Sequence, residues 1–273
     1  MLMSRRLLAA LAVWLLAAGT ALAAAPEHDP WTDLREALFE QRPIAEDGSV
    51  IALEAPYRAY DAAIVPITMK ALQPQEPERY IKTLTLVIDK NPAPVAAVFH
   101  LSPLSGDATI ATRVRVNEYT NVRAIAELND GSLHMASKFV KAAGGCSAPA
   151  LKDQEASLAR LGKIKLKQTA AGSGQPRQAQ LLISHPNYSG LQMDQLTRHY
   201  IPADFVQDIE VSHGGQTILT VEGAISLSED PSIHFSFLPQ GPTGKPGDIS
   251  VWVRDTEGRV FEGSWPLDSP AGS

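Results

Sequence analysis

Apolar and polar residues alternate with a period of two along most of this chain, which is the pattern of β-strands with one buried face. In the first half, the alternating segments are separated by turn sequences such as Asn91-Pro92 and Asn129-Asp130-Gly131. The predicted strands are 50–54, 63–69, 80–89, 95–101, 109–116, 122–128 and 133–140. Short strands at a spacing of about ten residues are typical of antiparallel sandwiches.

A second series of alternating segments fills the C-terminal part. Its predicted strands are 180–184, 204–212, 216–222, 233–238, 249–254 and 259–265. Between the two series the alternation breaks at 142–149, and a short helix over 149–161 and a strand over 162–168 follow. We therefore predict an all-β protein of two antiparallel β-sandwiches, 30–146 and 162–268. A linker, 147–178, carries the short helix and the first strand of the second sandwich.

One helix is predicted before the first strand. Asp29 is a suitable N-cap, and Pro30 fits the first turn. The apolar residues of this segment recur at helical spacing and are Trp31, Leu34, Leu38 and Phe39.

The N-terminus has the order of a secretory signal. The basic residues Arg5 and Arg6 precede an apolar run, 7–18, and the small-residue pattern Ala21-Leu22-Ala23 follows. A membrane anchor is the alternative, but the run is shorter than the roughly 20 residues that span a bilayer. We predict a signal peptide, 1–23, and a periplasmic protein exported through the Sec or the twin-arginine route.

The overall charge argues against one class of partner. Removal of the signal peptide takes away two arginines and no acidic residue, so the net charge changes from -6 to -8. Nucleic-acid binding depends on basic residues that contact phosphate, so we expect no nucleic-acid partner. We also expect no membrane span after signal cleavage.

The chain has one cysteine, Cys146. A single thiol in a secreted protein indicates an intermolecular bond or a reactive group, and the alternative is a small buried apolar residue. Its neighbours Gly144, Gly145, Ser147 and Ala148 are all small. We therefore predict an exposed, reactive thiol, with Gly144 and Gly145 as a hinge.

Nearby positive charge is expected to favour the thiolate form of this cysteine. A helix that begins near Ser147 would contribute its N-terminal dipole, and Lys141 or Lys152 would add a full charge.

Catalysis and metal binding are not indicated. A nucleophilic cysteine needs a positioned histidine base, and no histidine forms a recognised cysteine-hydrolase signature with Cys146. Apart from His28 near the N-terminus, the histidines are His100, His134, His185, His199, His213 and His234, and they lack paired metal-ligand spacing. We predict no catalytic residues, no metal site, no cofactor and no enzymatic activity.

Motifs in both halves resemble a pair of known families. The first half resembles SoxY, the sulfur-carrying subunit of the periplasmic thiosulfate-oxidising system, and the second half resembles its partner SoxZ. The SoxY-like stretches are Asn91-Pro92-Ala93-Pro94, Ala111-Thr112-Arg113-Val114-Arg115-Val116, Asn129-Asp130-Gly131 and Phe139-Val140-Lys141-Ala142-Ala143-Gly144-Gly145-Cys146. The SoxZ-like stretches are Ile183-Ser184-His185-Pro186-Asn187, Tyr200-Ile201-Pro202-Ala203-Asp204-Phe205, Ile225-Ser226-Leu227-Ser228-Glu229-Asp230-Pro231 and Gly247-Asp248-Ile249-Ser250-Val251.

The resemblance implies two immunoglobulin-like sandwiches packed as an intramolecular SoxY–SoxZ pair. The single chain is similar to fused SoxYZ-like carriers associated with quinoprotein dehydrogenases. Cys146 then matches the carrier cysteine, which holds a small sulfur compound covalently for partner enzymes. Those partners would be periplasmic redox enzymes of the Sox type, or a quinoprotein dehydrogenase and a c-type cytochrome. A non-covalent binding or scaffold module for such a dehydrogenase and cytochrome is the alternative function.

One departure concerns the cysteine itself. SoxY ends in Gly-Gly-Cys-Gly-Gly on a free arm, whereas here Ser147-Ala148-Pro149 follows the cysteine and the chain continues. Cys146 is therefore expected on a loop fixed at both ends.

Overall fold

The first half of the chain is built from antiparallel strands with one short parallel addition. The computed structural model describes residues 29–149, 154–169, 175–239 and 247–267. Within the first of these ranges the strands are β1 (Ile44–Ala45), β2 (Ile51–Glu54), β3 (Val65–Ala71), β4 (Ile81–Ile88), β5 (Val95–Leu101), β6 (Ile110–Val114), β7 (Thr120–Leu128) and β8 (Leu133–Val140). The strand β1 pairs in parallel with β8 and was not predicted.

The second half adds antiparallel strands and a five-residue helix, α2 (Gln154–Leu158). Its strands in the described ranges are β9 (Ile164–Gln168), β10 (Arg177–Ile183), β11 (Val206–His213), β12 (Gln216–Gly223), β13 (Ser232–Phe237), β14 (Ile249–Asp255) and β15 (Val260–Trp265). The predicted helix, 149–161, falls partly on residues 150–153, which lie outside the described ranges. The predicted signal peptide, 1–23, also lies outside the described ranges.

Two sheets run through both halves. The larger has the strand order β1-β8-β7-β4-β5-β12-β11-β14-β15, and the smaller has the order β2-β3-β6-β13-β10-β9. The halves therefore meet edge to edge in each sheet, at β5–β12 and at β6–β13. This continuity joins two sandwiches into one body and closes the edges that each would otherwise expose.

The junction of the larger sheet is also part of the core. Leu219 pairs with Leu101 and Val221 pairs with Phe99 across β12 and β5. All four side chains belong to one cluster of buried apolar residues that includes members from both halves. Burial of this cluster is the main force that holds the sandwiches together.

The N-terminal helix is present as α1 (Pro30–Phe39), and Asp29 accepts a hydrogen bond from the backbone N–H of Trp31 at 3.1 Å. Trp31 and Phe39 are buried in a small cluster against the larger sheet, whereas Leu38 is exposed. The Arg123 guanidinium lies over the Trp31 ring at 4.4 Å and pairs with Asp89. The helix thus covers the outer face of the sheet, and the predicted apolar face is right except at Leu38.

The predicted fold class is confirmed: the chain is mostly β, with two multi-stranded sheets and a short N-terminal helix. In β14, Ile249, Val251 and Val253 are buried while Ser250 and Arg254 are exposed. A period of two therefore does locate the strand and its inner face.

Candidate functional site

The segment that follows β8 is held by backbone hydrogen bonds at the two residues before Cys146. The Gly144 N–H donates to the carbonyl of Asn117 at 2.8 Å, and the Gly145 N–H donates to the carbonyl of Val116 at 3.0 Å. Val116 in turn donates to the carbonyl of Ala62 at 2.8 Å. The segment is therefore docked against two neighbouring loops of the first sandwich.

The two glycines meet different structural needs. Gly144 has a φ of 77°, which disfavours residues with a Cβ, and the space beside it is open. Gly145 makes a close approach, because a Cβ built there would lie 2.1 Å from the carbonyl oxygen of Ala62. Only glycine fits at 145 without displacement of the backbone. The hinge role of Gly144 and Gly145 stays a prediction.

The expectation of an exposed thiol is wrong. Cys146 is 0% exposed, although its neighbours in sequence are small. Burial raises the pKa of the Cys146 thiol to about 11, and the positive charge of Arg115 offsets this only in part. The thiolate that we expected at neutral pH is therefore disfavoured, because burial outweighs the nearby charge.

A loop from the second half covers the cysteine. We name residues 187–204 the covering loop; backbone hydrogen bonds between Tyr188 and Asp204, of 2.7 and 3.0 Å, close its base. The Ser189 hydroxyl donates to the carbonyl of Cys146, and the Gln192 side-chain amide donates to the carbonyl of Ala148 at 3.0 Å. Two side chains of the second sandwich thus hold the cysteine segment of the first.

Arg115 also connects the cysteine segment to the covering loop. Its guanidinium donates from Nη1 to the carbonyl of Gly145 and from Nη2 to the carbonyl of Asn187, each at 3.3 Å. The side chain is 1% exposed, and its Nε atom is buried without a hydrogen-bond partner among the residues that the structure describes. Burial lowers the pKa of Arg115, but an arginine guanidinium remains charged at neutral pH.

A second polar cluster lies at the base of the covering loop. His185, Asp204 and Asp255 come together with ligand-type atoms within 4.8 Å of one another. The Arg259 guanidinium donates to both carboxylates, to Asp255 at 2.6 Å. These residues include metal-ligand types, but Arg259 already offsets one of the two negative charges.

The histidine of this cluster has a defined tautomer. His185 Nδ1 accepts the backbone N–H of Asn187 at 3.1 Å, so the ring proton lies on Nε2, which is 3.4 Å from Asp255. Burial lowers the pKa of His185 despite the nearby carboxylates of Asp204 and Asp255. The cluster is thus a hydrogen-bonded network around a neutral histidine.

Comparison with known families assigns both halves. The family model "Sulfur oxidation protein SoxY" matches residues 35–146, and the model "Sulphur oxidation protein SoxZ" matches residues 164–266. The chain is a SoxY domain and a SoxZ domain in tandem. The predicted resemblance is confirmed, and Cys146 is the last residue of the SoxY match.

Solved structures give more distant likenesses. The sulfur carrier protein SoxY from Chlorobium limicola f thiosulfatophilum is 25% identical, with 40% of this chain and 89% of that chain covered and a TM-score of 0.34. A superoxide reductase (neelaredoxin) from Ignicoccus hospitalis is 14% identical, with 34% and 82% covered and a TM-score of 0.31. Among curated proteins, no significant match was found.

Three residues around Cys146 were not predicted as part of the site. Ser189 and Gln192 belong to the SoxZ domain and reach the cysteine only through the fold. Arg115 had a weak signal, since it is a charged residue between Val114 and Val116 at the end of a buried strand.

No helix in 29–149, 154–169, 175–239 or 247–267 has the length and apolar character of a membrane span.

Proposed function

We propose that this SoxY–SoxZ chain is a periplasmic thiol carrier that holds sulfur-compound intermediates covalently on Cys146 for partner enzymes. The supporting observation is that the chain's one cysteine ends the SoxY match and lies where the two domains meet. The protein itself would not be an enzyme. Its partners would be redox enzymes of the Sox type, or a quinoprotein dehydrogenase and its c-type cytochrome.

Loading of a buried thiol requires local opening. The side-chain contacts that must break include those of Ser189 and Gln192 with the Cys146 segment. Each neutral hydrogen bond contributes about 1 kcal/mol, so such an opening is far less costly than global unfolding. Gly144 and Gly145 would then act as the hinge of the released segment.

Burial between reactions would also protect the carrier. A thiol with a raised pKa has little thiolate, which is the form that oxidants and disulfides attack. In an oxidising periplasm, a closed state therefore keeps Cys146 available until a partner opens the loop.

The covering loop carries large exposed apolar side chains, which a partner enzyme reaching Cys146 would meet first. These are Leu191, Met193, Leu196 and Tyr200, and Leu196 is 94% exposed. Exposed apolar groups of this kind favour protein contacts over free solvent.

The alternative is a non-covalent binding or scaffold module for a periplasmic quinoprotein dehydrogenase and its cytochrome. The burial of Cys146 is the observation that favours it, because a scaffold needs no accessible thiol. Export by the Sec or the twin-arginine route and removal of residues 1–23 are part of either proposal.

Intact mass of the protein from its native periplasm, kept under non-reducing conditions, separates the two functions. A carrier gives reducible mass additions that disappear in Cys146→Ser. A thiol that stays unmodified in the native protein, and that resists alkylation until the chain is unfolded, would exclude the carrier and support the scaffold.

A further inference from the structure

Arg115 places a buried positive charge beside the carrier cysteine. It directly follows β6, and its backbone is fixed, because its N–H donates to the carbonyl of Ser226 at 2.7 Å. Its carbonyl accepts the side-chain amide of Asn91, also at 2.7 Å. The guanidinium is therefore aimed at the segment of Gly145 and Cys146 by a rigid support.

The hydrogen bonds of this guanidinium are few and long. An arginine has five N–H donors, and charge-assisted bonds to oxygen are usually about 2.7–2.9 Å long. Arg115 makes two bonds of 3.3 Å to the carbonyls of Gly145 and Asn187, and no described residue accepts a bond from its buried Nε. Its donors are thus mostly available for a better acceptor.

In the part of the chain that the structure describes, the guanidinium also lacks a direct counter-ion. Among the described residues, none places a carboxylate in ion-pair contact with Arg115; Glu229 and Asp61 act on it only through space. Cys146 acts on it most strongly, but its thiol is neutral at pH 7. A buried charge without a paired anion is costly, so an anion at this position would be stabilised.

We infer that Arg115 is a positioning residue, which binds the anionic end of a sulfur group carried on Cys146 and retains that group better than a neutral one. The inference rests on the proposed carrier function and assigns a role in it to Arg115. Arg115 would exchange its long carbonyl bonds for short, charge-assisted bonds to sulfonate oxygens.

Two reagents install matched adducts. Tetrathionate reacts with the thiol, RSH + S₄O₆²⁻ → RS–S–SO₃⁻ + S₂O₃²⁻ + H⁺, which breaks a central S–S bond and leaves an anionic group. Methyl methanethiosulfonate reacts as RSH + CH₃SO₂SCH₃ → RS–SCH₃ + CH₃SO₂H and leaves a neutral group. Both adducts are mixed disulfides, so dithiothreitol removes both and intact mass reports the rate.

The test compares the removal rates of the two adducts from the folded chain, each divided by its rate in urea to cancel intrinsic reactivity. We expect removal of the anionic adduct to be slowed about tenfold more by folding than removal of the neutral adduct. Arg115→Gln should abolish this difference, and Arg115→Lys should keep part of it. Arg113→Gln, which alters an arginine bonded to the Asp230 carbonyl instead, should leave the difference unchanged.

The outcomes separate the inference from the proposed function. Equal protection of both adducts in the wild-type chain would overturn the role of Arg115, whether or not Arg115→Gln folds. Failure of native Cys146 to take up either reagent would instead contradict the carrier function. In that case adducts installed in urea before refolding still compare the two charges.

Discussion

The hydroxyl of Ser189 in the SoxZ domain donates a hydrogen bond to the backbone carbonyl of Cys146 in the SoxY domain. This contact makes the second domain part of the site around Cys146, because it holds the cysteine segment in place. Ser189→Ala removes the contact, and a hydrogen bond contributes about 1 kcal/mol. We expect iodoacetamide to alkylate Cys146 about fivefold faster in the folded variant than in the wild type.

The matched control for this variant is Ser250→Ala. Ser250 is an exposed serine of the same domain whose hydroxyl lies 3.4 Å from that of Ser264. It should leave the alkylation rate unchanged. If Ser189→Ala also leaves the rate unchanged, then opening of the covering loop does not control access to the thiol.

The glycine pair should respond unequally to alanine. Gly145→Ala places a Cβ 2.1 Å from the Ala62 carbonyl oxygen, so the backbone must shift, and we expect a loss of about 3 kcal/mol in the free energy of unfolding. Gly144→Ala meets no atom within 4 Å and adds only the strain of a φ of 77°, about 1 kcal/mol. Urea unfolding measures both.

Gly131→Ala serves as the reference for these two variants, since Gly131 has a φ of 84° and open space around it in a remote turn. Its destabilisation should match that of Gly144→Ala. A Gly145→Ala variant as stable as Gly131→Ala would mean that the close approach to Ala62 is easily relieved.

Sequence patterns predicted the strands well because a strand with one buried face repeats every two residues. The boundaries of β5 and β8 coincide with the predicted 95–101 and 133–140. The pattern fails for β1, whose two residues are too short to show a period.

Burial of the thiol could not be read from the same sequence. The small neighbours of Cys146 describe the local chain, whereas the burial comes from a loop about 40 residues later and from Arg115, about 30 residues earlier. The cluster of His185, Asp204 and Asp255 is equally non-local. Contacts of this kind depend on how the two domains pair, and the spacing of residues along the chain does not reveal that pairing.

The pH dependence of alkylation should reveal the raised pKa of Cys146. The reactive form is the thiolate, and burial raises the pKa of the folded thiol to about 11. The alkylation rate of the folded protein should therefore rise about tenfold per pH unit from pH 7 through 9.5 without levelling off. The same chain in urea should level off near the ordinary cysteine value of 9.0. A folded-state profile that levels off near 9 or below would show that the thiol is exposed.

Acidification should destabilise the fold through His185. Its pKa is lowered in the folded state by burial, while in the unfolded chain it returns to about 6.5. Between the folded and unfolded pKa values the unfolded chain binds more protons. The contribution of neutral His185 to the free energy of unfolding is therefore fully present above pH 6.5 and is lost as the pH falls through the folded pKa. Protonation would also place a proton on Nδ1, which now accepts the N–H of Asn187 at the base of the covering loop.

Urea unfolding at pH 7.5 and at pH 5.5 measures this effect, with His185→Gln as the test variant and His100→Gln as the control. His100 is partly exposed and bonds Glu222 at the surface, so its replacement should leave the pH dependence nearly intact. His185→Gln should be less stable than the wild type at pH 7.5 but should lose less stability on acidification. If the wild type and His185→Gln lose the same stability between the two pH values, the neutral state of His185 is not what links the loop base to pH.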